Sequence, residues 1–131
     1  MNDREGTYSF TVSVLPEVLA VCRLTADAPW PAWAVGHSFF SCTRTPDEFS
    51  IVCPEAAVPP ATRSETGWRA LKIEAVLDFS MTGIVSSLTT PLAAAGISVF
   101  VLSTFDTDYV LVKAAHLEQT MRLWRELGHF I

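Results

Sequence analysis

The sequence predicts an α+β protein made of two small units, in which helices cover one face of antiparallel sheets. Apolar residues alternate with period two in several short segments, which is typical of half-buried strands, and recur with helical spacing in two others. Half of the 131 residues are hydrophobic and only 18% are charged, as in a packed domain. The second half of the chain also partly repeats the first.

Composition and charge exclude several classes of protein. The net charge of −5 disfavours nucleic acid and anionic membranes as partners. The longest apolar run, residues 92–102, is interrupted by Gly96 and Ser98 and is shorter than the roughly 20 residues that a membrane-spanning helix needs. The first residues contain no apolar stretch of the kind found in signal peptides. We therefore expect a cytoplasmic protein with no membrane partner.

Residues that could carry catalysis or bind a metal are scattered along the chain. Cys22, Cys42 and Cys53 form no CxxC pair and lie in apolar segments, so we expect buried free thiols. No metal-binding spacing joins the three histidines, and each is expected at the surface or at a helix end: His37, His116 and His129. No nucleophile elbow, P-loop or dinucleotide fingerprint occurs. The sequence therefore predicts no catalytic residues, no metal and no cofactor.

The first half reads as four strands. Residues 7–15 alternate strictly and end at Pro16, and residues 18–24 form a second apolar run. Strands at 39–43 and 49–53 flank a turn rich in Pro and Asp, which indicates a hairpin. Trp30 and Trp33 lie in a Pro-rich segment that holds one helical turn at most. We expect all four tryptophans to pack in the core or between units: Trp30, Trp33, Trp68 and Trp124.

The second half reads as a fuller unit. Residues 54–67, with three prolines, predict a surface connection. Thr82 is the expected N-cap of the first helix, Gly96 is its expected C′ residue, and Pro91 should kink the helix or tighten its last turns. The predicted elements are strand 68–79, helix 83–95, strand 97–104, strand 108–112, helix 114–127 and a short C-terminal strand.

A repeat becomes visible when the sequence is shifted over itself by 60 residues, which places Pro31 on Pro91 and Gly36 on Gly96 without a gap over some twenty positions. The second unit has the element order βαββαβ of the ferredoxin-like fold. In the first unit the second helix is replaced by the Pro-rich connection. The sequence therefore divides into a degenerate unit, residues 1–62, and a fuller unit, residues 63–131.

Several segments carry a resemblance to a known family. LDFSMTGI (residues 77–84) and STFDTDYVLV (103–112), together with DEFSIVCPE (47–55), resemble the small tandem ACT-domain proteins. That group includes bacterial chains and the ACT repeats of arginine sensors. The resemblance spans roughly residues 13–127 and implies tandem ACT units, of which the first is degenerate.

The resemblance also implies a function and a site. ACT domains are regulatory modules that bind amino acids where the first strand turns into the first helix, at an interface between two ACT units. It therefore implies a non-catalytic protein whose partner is a small-molecule amino acid. Carried over onto this chain, the binding residues are Met81, Thr82, Gly83, Ile84 and Val85 on one side and Thr104, Phe105 and Asp108 on the other.

The residues themselves suit such a ligand. A helix N-terminus attracts a carboxylate, and Gly83 allows a close approach to the backbone. Asp106 and Asp108, in one tight turn, suit an ammonium or guanidinium group. The alternatives are that Gly83 simply starts the helix and that both aspartates only form the turn.

One difference from the arginine-sensing relatives bears on specificity. Those relatives carry an acidic side chain near the start of the helix, where this chain has Ser86 and Ser87. A smaller or neutral amino acid is thus as good a candidate as arginine.

A second hypothesis is a ligand-free protein-interaction module. It would use sheet edges and the segment that holds Trp30 and Trp33 to form a homodimer or to dock on a partner enzyme.

Overall fold

The computed structural model describes residues 8–131, so Thr7, where the predicted first strand begins, lies outside the described chain. Two compact units are present: the first unit is Pro16–Trp68, and the second unit joins the residues up to Leu15 with Arg69–Ile131. A 3-10 turn follows the fourth strand and another precedes the second helix. The elements are β1 (Val12–Val14), β2 (Leu19–Leu24), β3 (Ser41–Arg44), β4 (Phe49–Pro54), β5 (Arg63–Ile73), α1 (Ile84–Ala94), β6 (Val99–Ser103), β7 (Asp108–Lys113) and α2 (Leu117–Glu126).

The first unit is an antiparallel sheet in the order β3–β4–β2, followed by the first part of β5. The predicted hairpin is confirmed as β3 and β4, and the hydroxyl of Thr45 accepts hydrogen bonds from the two N–H groups that follow in its turn. The free thiols of Cys22 and Cys53 are buried in the core, as expected, and Cys42 is partly buried. The core of this unit comprises Ala20, Cys22, Ala34, Phe49, Ile51 and Cys53.

The second unit is an antiparallel sheet in the order β1–β5–β7–β6. Both helices bury apolar side chains against one face of this sheet, so the predicted α+β class is confirmed. The indole N–H of Trp124 on α2 donates to the carbonyl oxygen of Leu88 on α1 at 2.9 Å. The buried core comprises Phe10, Val12, Leu71, Ile73, Ile84, Leu88, Leu92, Ile97, Val110, Val112 and Trp124.

The tryptophans do not all lie in a core. Trp68 and Trp124 are buried, Trp33 is half-buried and packs against the core of the first unit, but Trp30 is 59% exposed. The ring of Trp30 contacts that of Phe49, with the centroids 5.5 Å apart. The expectation that every tryptophan packs in the core or between units is nevertheless wrong for Trp30, because more than half of its surface stays in water.

The end of α1 follows the prediction and its start does not. Gly96 has φ +76°, and the N–H groups of Gly96 and Ile97 donate to carbonyls of the last helical turn, so the predicted C′ glycine is confirmed. The N-cap residue is Gly83, not Thr82. Within the described chain no side chain caps this helix end. The helix accommodates Pro91 in its last turns.

β5 begins and ends earlier than predicted. It covers Arg63–Ile73, so part of the expected surface connection is strand, and residues 74–79 are not. The N–H of Leu77 donates to the carbonyl of Asp106 instead of continuing a ladder, and the side chains of Val76 and Phe79 are largely exposed. Alternating apolar residues here line a loop, because no neighbouring strand continues alongside them.

The N-terminal strand also differs from the sequence division. That division places it in the first unit, whereas β1 pairs with β5 in register Val12↔Ile73 and clusters with the second unit. After α2 the chain makes only an isolated bridge, between Phe130 and Thr11. β1 therefore takes the sheet position that the last strand of a βαββαβ unit would occupy.

His129 follows the end of α2, as expected, but it is buried there and does not lie at the surface. Its Nδ1 accepts a hydrogen bond from the backbone N–H of Phe10 at 3.0 Å. The turn after α2 brings the ring under the N-terminal strand. None of the helices in residues 8–131 has the length and hydropathy needed to span a membrane.

Candidate functional site

A surface cavity of about 330 Å³ lies in the second unit. Three segments form it: the loop after β5, the first turn of α1 and the hairpin between β6 and β7. Its lining residues are Leu77, Asp78, Phe79, Met81, Gly83, Ile84, Val85, Ser86, Ser103, Thr104, Phe105, Asp106, Thr107 and Asp108.

The first turn of α1 points backbone donors at this cavity. Gly83 has φ +77°, a left-handed conformation that glycine adopts without strain. The first helical hydrogen bond runs from the N–H of Ser87 to the carbonyl of Gly83 at 2.9 Å. The preceding N–H groups, of Ile84, Val85 and Ser86, have no carbonyl within the helix to bind. Together with the helix dipole, they make this end of the cavity attractive to an anion.

The loop after β5 is held by its own hydrogen bonds. The backbone N–H of Ser80 donates to the carboxylate of Asp78 at 2.9 Å, and the N–H of Met81 donates to the carbonyl of Asp78, also at 2.9 Å. The bond from Ser80 holds the pKa of the Asp78 carboxyl below its ordinary value. The N–H of Leu77 donates to the carbonyl of Asp106 at 2.6 Å, which ties this loop to the hairpin opposite.

The hairpin between β6 and β7 presents two side chains at its tip. Thr104 and Thr107 close the turn, since the N–H of Thr104 donates to the carbonyl of Thr107 at 2.8 Å. The buried hydroxyl of Thr107 donates to the carbonyl of Ile73 at 2.7 Å and anchors the turn to β5. Between the two threonines, Phe105 and Asp106 project into solvent beside the cavity.

Two exposed phenylalanines meet across the cavity. Phe79 from the loop and Phe105 from the hairpin pack edge to face, with ring centroids 5.1 Å apart. Their side chains are 75% and 81% exposed. Aromatic rings that remain this exposed in a folded chain are apolar surface that a ligand or a partner could cover.

The structure brings together most of the residues predicted from the sequence. Met81, Gly83, Ile84, Val85, Thr104, Phe105, Asp106 and Asp108 all line the cavity. Thr82 does not line it. Their role in binding stays a prediction, because proximity alone does not identify a ligand.

Sequence reasoning missed six lining residues: Leu77, Asp78, Phe79, Ser86, Ser103 and Thr107. The alternation of residues 68–79 concealed Phe79, which looks like a core strand residue. The pair Asp78 and Ser80 was the available signal, since an aspartate two residues before a small polar residue often forms a turn of this kind.

Other reactive groups do not form a second site in the described residues. The thiols of Cys22, Cys42 and Cys53 have raised pKa values because they are buried, and that of Cys53 reaches about 12. A thiol with such a pKa is almost wholly protonated near neutral pH and is a poor nucleophile. Within residues 8–131 no three His, Cys, Asp or Glu side chains are placed to hold a metal ion.

Comparison with known proteins identifies the family of the chain. A family model described as an ACT domain matches residues 63–126, and a second model, of an N-terminal domain, matches residues 17–61. The human cytosolic arginine sensor for mTORC1 subunit 1 is 32% identical in an alignment 108 positions long that covers 69% of this chain. The chain spans about a third of that protein's length, 33%.

Two solved structures resemble the chain. A protein from Agrobacterium tumefaciens is 41% identical, with a TM-score of 0.88 over 94% of this chain and 92% of its own. The regulatory subunit of aspartate kinase from Thermus thermophilus is 11% identical, with a TM-score of 0.65 over 92% of this chain and 99% of its own. The second likeness shows a shared fold. Sequence and fold thus agree, and the chain belongs to the ACT-domain family, in the group related to the cytosolic arginine sensors.

Proposed function

We propose that this chain is a non-catalytic regulatory module that binds a free α-amino acid in the cavity of its second unit. The observation that carries the proposal is the convergence of two opposite poles on one cavity. Backbone donors at the start of α1 lie on one side, and the carboxylate of Asp106 lies at the hairpin on the other. An α-amino acid carries one carboxylate and one ammonium, which match these poles.

The size of the cavity supports this class of ligand. At about 330 Å³ it lies near the lower end of the range for small-molecule pockets. A free amino acid has few atoms, so a pocket of this size can enclose it. The relatives support a regulatory role, because one is named as a cytosolic arginine sensor and another as the regulatory subunit of a kinase. Because one of these relatives is named as cytosolic, we propose that this chain also acts in the cytoplasm.

The proposal is tested by measuring the thermal unfolding of the purified protein with each of the twenty amino acids. A ligand that binds only the folded state raises the unfolding temperature in proportion to the logarithm of its concentration. We expect at least one amino acid to do so. A flat response to all twenty at millimolar concentration would contradict the proposal.

A matched pair of variants locates the site. Gly83→Val places a β-branched residue at φ +77° beside the helix donors, and Gly36→Val introduces the same strain at φ +88° in the first unit. At neither position does an added Cβ meet an atom within 4 Å, so both substitutions act through the backbone. We expect Gly83→Val to abolish the ligand-induced shift and Gly36→Val to retain it. Equal responses from the two variants would place the site elsewhere.

A second candidate function is protein binding through the first unit. Trp30 is 59% exposed, and the guanidinium of Arg44 lies 4.0 Å from the ring of its neighbour Phe49. Exposed tryptophan and arginine are common in protein interfaces. Light scattering of wild type and of Trp30→Ser tests this function: a dimer that the substitution dissociates would support it, and a monomer in both would contradict self-association.

A further inference from the structure

The polar groups still available in the cavity indicate what kind of amino acid fits it. This inference rests on the proposed function, because it takes the ligand to be an α-amino acid. A polar ligand atom needs a partner when it leaves water. The lining groups that already have partners within the protein therefore limit the ligand.

The hydroxyl groups of the lining are engaged. Thr104 hydrogen-bonds within its turn, and Thr107 donates to the carbonyl of Ile73. Ser103 donates to the carboxylate of Asp108 at 2.6 Å. Ser86 shares a longer contact of 3.4 Å with Thr90.

The carboxylates of the lining differ in whether they already accept a hydrogen bond from the protein. Asp78 accepts the N–H of Ser80, and Asp108 accepts the hydroxyl of Ser103. Asp106 has no such bond to its carboxylate from any residue in the range 8–131. Asp78 and Asp108 each keep a second carboxylate oxygen, whereas the Asp106 carboxylate and the N–H groups at the start of α1 are available in full. The α-ammonium and α-carboxylate of an amino acid use both.

The apolar part of the lining remains uncovered. Phe79 and Phe105 are 75% and 81% exposed and touch each other edge to face across the cavity. Leu77, Met81 and Val85 continue this surface between them and the helix. A side chain placed here would meet carbon on most sides.

We propose that the site selects an amino acid with an apolar side chain, which packs against Phe79 and Phe105. Such a side chain buries the exposed rings and needs no hydrogen-bond partner. A cationic side chain is the competing possibility, because Asp78 and Asp108 also line the cavity. An anionic one finds no Lys, Arg or His in the lining.

A homologous series of ligands tests this specificity on the full-length protein. Alanine, 2-aminobutyrate, norvaline and norleucine add one methylene at a time, and lysine is norleucine with a terminal ammonium. Calorimetric titration should show affinity rising about fourfold for each methylene, the factor expected for burying one CH₂. Lysine tests the alternative that a terminal ammonium pairs with a remaining oxygen of Asp78 or Asp108. If packing on the rings decides the specificity, lysine should bind more weakly than norleucine, because burying its charged end costs free energy.

The outcomes separate this inference from the proposed function. If lysine or arginine binds more tightly than norleucine, the inference is overturned and amino-acid binding stands. If alanine binds as tightly as norleucine, the inference is also overturned. If no amino acid binds, the proposed function fails and the inference falls with it.

A pair of variants assigns the effect to the rings. Phe105→Ala removes an exposed ring of the cavity, and Phe130→Ala removes a ring that is 68% exposed and does not line it. Phe105→Ala should lower the affinity for norleucine about tenfold and that for alanine much less, a split that a general disturbance of the fold would not produce. Phe130→Ala should change neither. If Phe105→Ala lost the same affinity for norleucine and for alanine, the proposal that the ligand side chain packs on this ring would be overturned.

Discussion

At the scale of single residues, His129 shows how burial changes a group's role. The ring is 6% exposed, stacks on Phe10 with centroids 5.8 Å apart, and meets the ring of Trp124 nearly at right angles. Its Nδ1 accepts a hydrogen bond, so that nitrogen must be unprotonated in the folded state. Burial lowers the pKa of the imidazole below its ordinary value.

This lowered pKa predicts a loss of stability in mild acid. The unfolded chain binds a proton to His129 near pH 6.5, whereas the folded chain does so only at lower pH. The free energy of unfolding should therefore be unaffected by this group above about pH 6.5 and should decrease as the pH falls from there toward the folded-state pKa. Urea unfolding at pH 7.5, 6.5 and 5.5 measures the slope.

Two variants isolate the contribution of His129 to that slope. His129→Asn keeps a side-chain acceptor but cannot titrate in this range, so it should unfold with a smaller pH dependence than wild type. His37→Asn serves as the control, because His37 is exposed and far along the chain. The prediction is wrong if His129→Asn and wild type lose the same stability between pH 7.5 and 5.5.

At the scale of elements, α1 combines a structural and a binding role on different faces. Ile84, Leu88 and Leu92 are buried against the sheet at the helical spacing that the sequence showed. The start of the same helix supplies donors to the cavity. Packing of the buried face thus fixes where those donors point.

Truncation of the buried face tests this arrangement. Leu88 is fully buried, and Leu88→Ala should lower the free energy of unfolding by about 2–5 kcal/mol, the range for removing a packed leucine side chain. Thr90 is exposed on the same helix, so Thr90→Ala should change the free energy of unfolding by less than about 0.5 kcal/mol. Chemical unfolding of both variants gives the comparison; a loss below about 1 kcal/mol in Leu88→Ala would contradict the packing described.

At the scale of the whole molecule, the N-terminal strand belongs to the second unit although the whole of the first unit, Pro16–Trp68, lies between the two pieces of that unit's chain. Its backbone makes hydrogen bonds on both sides. The N–H of Glu74 donates to the carbonyl of Thr11, and the N–H of Val12 donates to the carbonyl of Phe130. Phe10 and Val12 complete the core beneath it. The second unit is therefore assembled from two distant pieces of chain.

Removal of one side chain of that strand tests the assembly. Phe10 is buried in the second unit, so Phe10→Ala should destabilise the protein by about 3–5 kcal/mol. Hydrogen exchange should become faster in β7, which belongs to the same unit. Thr11→Ala, at an exposed position, is the control. Faster exchange confined to β2 and β4 would instead support the division at residue 62.

Local patterns in the sequence predicted many of the elements. The hairpin of β3 and β4, the buried face of α1 and the C′ role of Gly96 all depend on residues within a few positions of one another. Two of the three segments that form the cavity, the first turn of α1 and the hairpin, were also predicted from the sequence, through the resemblance and the chemistry of Gly83 and Asp106. The loop residue Phe79 was not, because its alternating neighbours looked like strand.

The sequence by itself determined the α+β class through periodicity and turn residues, and its resemblance to ACT domains indicated two of the three segments that line the cavity. Only the tertiary structure decided that β1 joins the second unit, that His129 is buried and that Phe79 faces Phe105. These features depend on contacts between residues far apart in the chain. Local propensity carries no information about which distant backbone supplies the missing hydrogen bonds, so such pairings appear only once the chain has folded.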